Sequence, residues 1–253
     1  MTKNGIKRYP IAEHFLSPQG EGLFAGQLQF FIRFAGCSVG KKMSGEQRAL
    51  FLADERLKSN GRLEVLATYR EMCTLYDGRT FACDTDFQTK KVMTVEEILA
   101  MIPSGVQHIC LTGGEPLDHD LSPLLFEIAS KTDYLVHIET SGTVSLTDRA
   151  YPEYSAGDSL DMDGGWIWLT VSPKFNALPE MMTIANEIKL LVDDRFDLAK
   201  IPDEVLEHDL VFIQPVNFEL EINKKNMEMC LELQKEHPNW RISSQSHKLW
   251  NVR

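Results

Sequence analysis

Three cysteines in the first third of the chain are the residues whose type and grouping most directly suggest chemistry. Cys37, Cys73 and Cys83 are separated by 35 and 9 residues. Three thiolates can hold three irons of a 4Fe–4S cluster and leave the fourth iron open, whereas four thiolates close the cluster. The spacing alone also fits three unrelated thiols, so the interpretation depends on the residues around them.

The other two cysteines have simpler explanations. Cys110 lies inside an apolar segment that predicts a strand, and Cys230 lies on the apolar face of a predicted helix. Free cysteine is among the most frequently buried residue types, so both are predicted core residues. A structural zinc site at the three clustered cysteines is an alternative, although such sites usually have four ligands.

Four further segments place polar or glycine residues directly after predicted strands. They are LTGGEP at residues 111–116, ETSG at 139–142, VSPK at 171–174 and QPVN at 214–217. Two adjacent glycines at a strand end let the backbone approach a ligand without a Cβ in the way. The carboxylate and backbone carbonyls of the first segment are suited to receive an ammonium group.

The elements that must position these segments alternate between strand and helix. Apolar runs predict strands at residues 29–34, 106–111, 134–138, 166–171, 187–192 and 210–213. Capping and periodicity predict helices at 94–102 and 223–236. Repeated βα units imply a parallel sheet, as an open or closed barrel or a doubly wound sheet. Ligands of such folds bind at the carboxyl ends of the strands.

Composition narrows the class of protein. The 253 residues carry a formal net charge of −11, which disfavours binding to nucleic acid or to an anionic membrane surface. No apolar run approaches the roughly 18 residues of a membrane span, and the first residues lack the apolar core of a signal peptide. A cytoplasmic location is therefore expected.

Two segments depart from the βα pattern. Residues 38–72 are rich in charge and form a predicted insertion between Cys37 and Cys73, with a capped helix at 44–58. Residues 155–165 are acidic and glycine-bearing, but they lack carboxylates that a calcium loop needs.

The combination of segments resembles one family. Together with SPQGEG at residues 17–22, FIRFAGC at 31–37 and CDTDF at 83–87, they match the order found in 7-carboxy-7-deazaguanine synthases of the radical S-adenosylmethionine (SAM) superfamily. The resemblance extends from about residue 11 to residue 247. It implies an α/β fold with a partial, modified (β/α) barrel, one radical SAM domain over residues 1–253, and a homodimer.

The resemblance also implies a reaction. The substrate would be 6-carboxy-5,6,7,8-tetrahydropterin, whose ring is contracted to 7-carboxy-7-deazaguanine with loss of ammonia, in queuosine and 7-deazapurine biosynthesis. The implied cofactors are a 4Fe–4S cluster, SAM and Mg²⁺. The implied partner is an electron donor such as a flavodoxin or ferredoxin.

The implied site residues follow from the matching motif positions. The predicted cluster ligands are Cys37, Cys73 and Cys83, and the predicted magnesium ligand is Thr85. The predicted SAM contacts are Gly114, Glu139, Ser141, Ser172, Pro173, Lys174, Gln214, Pro215, Val216 and Asn217. The predicted substrate contacts are Pro18, Gln19, Gly20, Arg33 and Thr112.

The cysteine loop departs from the usual pattern, in which three and then two residues separate the cysteines. Ala82 also stands where an aromatic residue usually precedes the third cysteine, with Phe81 one position earlier. A radical SAM activase that makes a glycyl radical on a partner protein is a further alternative. It would share the cluster and the GGEP segment, but it would not need the QGEG segment, Arg33 or Thr85.

Overall fold

The computed structural model describes residues 6–53, 71–83, 85, 88–131, 134–149, 166–217 and 222–252. The strands are β1 Arg8–Pro18, β2 Leu28–Phe34, β3 Lys41–Lys42, β4 Glu71–Thr74, β5 Thr80–Cys83, β6 Lys91–Thr94, β7 His108–Gly113, β8 Leu135–Thr140, β9 Ile167–Val171, β10 Glu187–Val192, β11 Val211–Pro215 and β12 Arg241–Ile242. The helices are α1 Gly45–Ala53, α2 Val95–Leu99, α3 Ser122–Lys131, α4 Pro179–Ile184, α5 Asp203–Leu206, α6 Lys224–Glu236 and α7 Ser246–Leu249.

Nine of these strands form one large sheet in the order β12-β11-β10-β9-β8-β7-β2-β1-β6. Strands β2 and β7 to β12 run parallel, while β1 is antiparallel to both of its neighbours. Within the described residues the strand order ends at β12 and β6 without closing. The predicted α/β fold with a partial barrel is confirmed. The two alternatives, a closed barrel and a doubly wound sheet, are not observed in the described residues.

The six predicted strands are all present, with ends that differ from the prediction by at most two residues. The capping box at Thr94 and Glu97 is present, but α2 ends at Leu99 because the chain turns after Ala100. In the insertion, Ser44 caps the Gln47 backbone N–H as expected. The helix is described only to Ala53, and the rest of the expected segment to residue 58 lies outside the described residues, as does the acidic loop 155–165.

Side chains alternate between the two faces of the large sheet, as in any strand. The face under the helices buries aliphatic residues, for example Ile109, Leu111, Ile138 and Leu169. The opposite face carries polar side chains towards the carboxyl ends of the strands. They are Arg33, Thr112, Glu139, Thr170, Lys189 and Gln214.

A second, three-stranded antiparallel sheet in the order β3-β4-β5 carries Cys73 and Cys83. Strand β3 and the first residues of β4 fall within the predicted insertion at 38–72, and the β4-β5 hairpin itself was not predicted from the sequence. No helix in the described part of the chain is long and apolar enough to cross a membrane.

Candidate active site

A pocket of about 220 Å³ opens at the carboxyl ends of β7 to β11 and beneath the β4-β5 hairpin. Thirteen predicted site residues contribute to its wall: Cys37, Cys73, Cys83, Thr85, Gly114, Glu139, Ser141, Ser172, Lys174, Gln214, Pro215, Val216 and Asn217. Residues from distant parts of the sequence thus converge where an α/β fold of this kind binds its ligands.

The three clustered cysteines reach this pocket from two directions. Cys37 follows β2, whereas Cys73 lies in β4 opposite Phe81 and Cys83 ends β5. Burial raises the pKa of the Cys37 thiol. The pKa of the Cys73 thiol is also raised, chiefly by its hydrogen bond with Cys83 and secondly by burial. Such thiols are protonated on their own, and metal ligation would deprotonate them.

A 4Fe–4S cluster and a single metal ion need different arrangements of ligand side chains. Among the described residues, no group of three or more His, Cys, Asp or Glu side chains is arranged to hold a metal ion. A 4Fe–4S cluster is larger and is held by thiolates at separate irons. The three thiols of Cys37, Cys73 and Cys83 face one cavity, which is the arrangement a cluster with one open iron needs.

The two glycines of the GGEP segment are required by the backbone beside Cys37. Gly113 has a φ of +130°, and a Cβ there would lie 2.4 Å from backbone atoms of Phe34. A Cβ on Gly114 would lie 1.7 Å from the carbonyl oxygen of Gly36 and 2.9 Å from the Cβ of Cys37. The close approach that these glycines permit is therefore made first to the chain itself.

The carboxylate of Glu115 does not line the pocket, because it joins the ends of β7 and β8. It accepts hydrogen bonds from the backbone N–H of Leu117 at 3.1 Å and the hydroxyl of Thr140 at 2.7 Å. It also accepts from the N–H of Ser141 at 2.8 Å and from the Ser141 hydroxyl. Its acceptor capacity is used internally, so backbone groups of this segment are left to receive an ammonium.

The SPK segment after β9 is tied to the ETSG segment after β8. The Ser172 N–H donates to Thr140 O at 2.9 Å, and the Lys174 N–H donates to Ser141 O at 3.1 Å. The Lys174 ammonium donates to Ser172 O and Oγ at 2.9 and 3.0 Å, so Lys174 is not a free surface cation. Pro173 is buried beside the pocket but does not line it.

Glu139 connects the predicted substrate residues to the pocket. Gln19 Nε2 donates to one carboxylate oxygen of Glu139 and Thr112 Oγ1 to the other, each at 3.0 Å. The side-chain oxygen Oε1 of Gln19 accepts from the backbone N–H groups of Gly20 and Glu21. Glu139 is thus the wall residue through which Gln19 and Thr112 can influence a bound ligand.

The five predicted substrate residues do not themselves line the pocket: Pro18, Gln19, Gly20, Arg33 and Thr112. Arg33 pairs with Glu13 across the β1-β2 ladder at 2.9 Å. Gly20 packs against the C-terminal segment, because a Cβ there would lie 2.0 Å from His247 Nδ1. The structure therefore brings this set to the edge of the site rather than into its wall.

A buried ion pair that was not predicted from the sequence includes one residue of the pocket wall, Lys189. Lys189 Nζ pairs with Glu21, which also accepts from Gln214 Nε2 at 3.1 Å and Gln245 Nε2 at 3.0 Å. Burial alone would raise the pKa of Glu21, but the charge and hydrogen bond of Lys189, with smaller contributions from His247 and Gln245, lower it. A lysine inside the apolar strand EIKLLV was the available signal, since buried lysines are rare unless paired.

Comparisons with known proteins agree with this architecture. The 7-carboxy-7-deazaguanine synthase of Escherichia coli (strain K12) is 30% identical over 260 residues, covering 97% of this chain and 99% of that protein. The Synechocystis synthase is 30% identical over 97% of this chain and 94% of its own length. The crystal structure of QueE from Escherichia coli superposes with a TM-score of 0.59 at 28% identity, covering 94% and 93% of the chains. No family model matches the chain.

An open, mostly parallel sheet with three cysteines and a glycine-rich turn at its carboxyl rim is the arrangement of a radical SAM enzyme, a class that works with a 4Fe–4S cluster and SAM. Within that class, the chain belongs to the 7-carboxy-7-deazaguanine synthase family.

Proposed function

We propose that this enzyme converts 6-carboxy-5,6,7,8-tetrahydropterin to 7-carboxy-7-deazaguanine with loss of ammonia, in the pathway to queuosine. The observation that carries the proposal is the convergence of three thiols, the glycine-rich turn and the SPK and QPVN segments on one pocket. The names of the full-length relatives support the choice of reaction.

The residues present fit the cofactors of this chemistry. Cys37, Cys73 and Cys83 would hold the 4Fe–4S cluster. SAM would lie along the strand ends, with Pro173 buried beside it. The residues against it would be Gly114, Glu139, Ser141, Ser172, Lys174, Gln214, Pro215, Val216 and Asn217. When bound, cluster and SAM supply a one-electron route for removing a hydrogen atom from a carbon of the substrate.

The chain supplies position and shielding. The Glu139 carboxylate, oriented by Gln19 and Thr112, presents a fixed acceptor at the pocket wall. The Glu21–Lys189 pair adds a second polar group whose charges are mutually compensated, so it can line a secluded pocket without an unpaired charge. Arg33 would reach the substrate carboxylate by exchanging its partner Glu13, and a guanidinium suits this role because it binds carboxylates with two parallel hydrogen bonds.

A magnesium ion is also part of the proposal. Thr85 lines the pocket two residues after Cys83, and its hydroxyl would give Mg²⁺ one protein ligand. Magnesium often keeps few protein ligands and takes others from water and substrate, so one hydroxyl is sufficient when the substrate carries a carboxylate. The neighbouring Asp84 and Asp86 lie outside the described residues.

Other parts of the proposal rest on the resemblance to the family. They are a single domain over residues 1–253, a homodimer in the cytoplasm, and a flavodoxin or ferredoxin as the electron donor.

The test is anaerobic reconstitution followed by electron paramagnetic resonance and turnover. Reduced wild type should show a 4Fe–4S signal that shifts with SAM, and carboxytetrahydropterin should give the deazaguanine and ammonia by mass spectrometry and ammonia assay. Cys73→Ala should lose the signal and the product. Cys230→Ala, which removes a buried thiol on α6, should keep both.

The outcomes separate the alternatives. An intact cluster that cleaves SAM but forms no deazaguanine would favour an activase of a partner protein. A colourless, zinc-loaded protein would remove the radical mechanism. A cluster unchanged in Cys73→Ala would show that another residue is the middle ligand.

A further inference from the structure

The β4-β5 hairpin, residues 71–83, carries two of the three thiols but belongs to the small sheet, not to the large one. Cys37, in contrast, follows directly from β2 of the large sheet. The distance between Cys37 and the hairpin thiols is therefore set by the β3-β4 pairing and by the contacts that attach the hairpin to the rim of the large sheet.

One side of the hairpin is attached by backbone contacts. Leu75 forms a β-bridge with Lys174, and the Phe175 N–H donates to Thr74 O at 2.9 Å. Leu75 itself is buried. These contacts join the hairpin to the segment after β9, next to the SPK turn.

The other side is attached by Arg79 in the hairpin turn. Its guanidinium donates to Asp77 Oδ2 at 2.6 Å, to Asp193 Oδ1 at 2.6 Å and to the carbonyl oxygen of Leu191 at 2.7 Å. It also lies 5.2 Å from the centre of the Phe196 ring. Leu191 and Asp193 belong to the end of β10 and the turn after it, so Arg79 joins the hairpin to the far wall of the pocket.

Asp193 receives this contact in a nearly buried setting. The side chains of Arg79 and Asp193 are 9% and 12% exposed. The second carboxylate oxygen of Asp193 accepts from Arg195, which also donates to Thr80 O at 3.3 Å. Removing either partner breaks the bond between hairpin and rim, while Asp193 keeps Arg195 and Arg79 keeps Asp77 as a charge partner. The hairpin would then lose much of this attachment. A lysine cannot reproduce the planar fork of Arg79.

We propose that Arg79 and Asp193 are positioning residues that hold the β4-β5 hairpin over the pocket, so that Cys73 and Cys83 meet the same cluster as Cys37. This rests on the cluster role of the three thiols in the proposed function. Neither residue touches the cluster in this scheme. They act by limiting how far the hairpin thiols can move from Cys37.

The test compares anaerobically reconstituted wild type with Arg79→Gln, Asp193→Asn and Arg79→Lys. Measurements are iron and sulfide per chain, the electron paramagnetic resonance spectrum of the reduced cluster with and without SAM, and the rate of iron loss to a chelator. Arg79→Gln and Asp193→Asn should lose iron at least tenfold faster and give a broadened or weakened signal. Arg79→Lys should fall between them and wild type.

Lys225→Gln is the matched control, since it removes an exposed ion pair with Asp194, one residue beyond Asp193. It should behave as wild type because exposed pairs contribute little. Circular dichroism and urea unfolding of the cluster-free proteins identify any variant that fails to fold. In that case the decision rests on Arg79→Lys, whose iron loss must still exceed that of the control.

Wild-type iron loss and an unaltered spectrum in folded Arg79→Gln and Asp193→Asn would overturn the proposal, as would lowered stability of the cluster-free protein with an unaffected cluster. A wild type that holds no cluster would instead overturn the proposed function.

Discussion

The Glu115 carboxylate allows a direct test of whether the acidic group beside the two glycines binds a ligand or other groups of the protein. It is 1% exposed, and its four hydrogen-bond donors come from three residues of its own chain. In Glu115→Gln, one carboxylate oxygen becomes an amide nitrogen, which cannot accept from the donors that face it. We expect the variant to fold less stably, without a specific loss of SAM binding.

The magnitude follows from the donors that lose their acceptor. Hydroxyls of Thr140 and Ser141 can rotate, but a backbone N–H cannot, so at least one buried N–H is left unpaired. A hydrogen bond to a charged group contributes about 1.5–3 kcal/mol, and an unpaired buried donor costs about 1–3 kcal/mol. We therefore expect Glu115→Gln to lower the free energy of unfolding by about 2–4 kcal/mol, and Glu115→Ala to lower it further.

The assay is urea unfolding of the cluster-free proteins under anaerobic conditions, followed by circular dichroism. Glu180→Gln is the control, because Glu180 is an exposed carboxylate in the first turn of α4 and should change stability by no more than about 0.5 kcal/mol. SAM affinity of the reconstituted proteins is measured by calorimetry. Wild-type stability in Glu115→Gln combined with a tenfold loss of SAM affinity would refute the reasoning, since it would make the carboxylate a ligand-binding group.

Two further predictions concern packing and pH. Gly114→Ala should yield little folded, cluster-loaded protein in iron assays and gel filtration, because the added Cβ would lie 1.7 Å from the backbone of Gly36. Gly45→Ala is the control and should be as stable as wild type, because a Cβ at Gly45 would meet no described atom within 4 Å. Burial lowers the pKa of His137 from 6.5 to about 3. The stability that the neutral histidine contributes is therefore fully present above pH 6.5 and is lost as pH falls towards 3. Between pH 7 and 5 this histidine should account for about 2 kcal/mol of lost unfolding free energy, a slope that His137→Gln should lack. An equal slope in both proteins would contradict the His137 prediction.

Much of the fold was predictable because strand burial leaves a local pattern. Strands buried on both faces read as apolar runs, and six of them were located from such runs to within two residues. The order of polar residues after the strands was also readable, because the carboxyl ends of parallel strands share one rim. The antiparallel strand β1 and the β4-β5 hairpin were not predicted, because neither belongs to the alternation of strand and helix from which the other strands were recognised.

The assignment of groups to the site was less predictable. Ser172, Lys174 and Gln214 were expected at the pocket and line it, whereas Arg33 was expected there and pairs with Glu13 outside its wall. Lys189 lines the pocket although no motif pointed to it. A motif shows that a polar side chain follows a strand. The partner of that side chain depends on which neighbouring strand places an opposite charge beside it, and the motif does not show this.

The sequence by itself determined the class of fold, the set of chemically competent residues and the family, because these depend on residue type, local periodicity and the order of motifs. Only the tertiary structure decided what each group contacts. It showed that Glu115 accepts its hydrogen bonds from Leu117, Thr140 and Ser141, and that Glu21 pairs with Lys189. It also showed that Arg79 reaches Asp193, 114 residues away in the chain. Such pairings depend on strand order and chain crossing, which bring together residues whose separation in sequence carries no record of their distance in space.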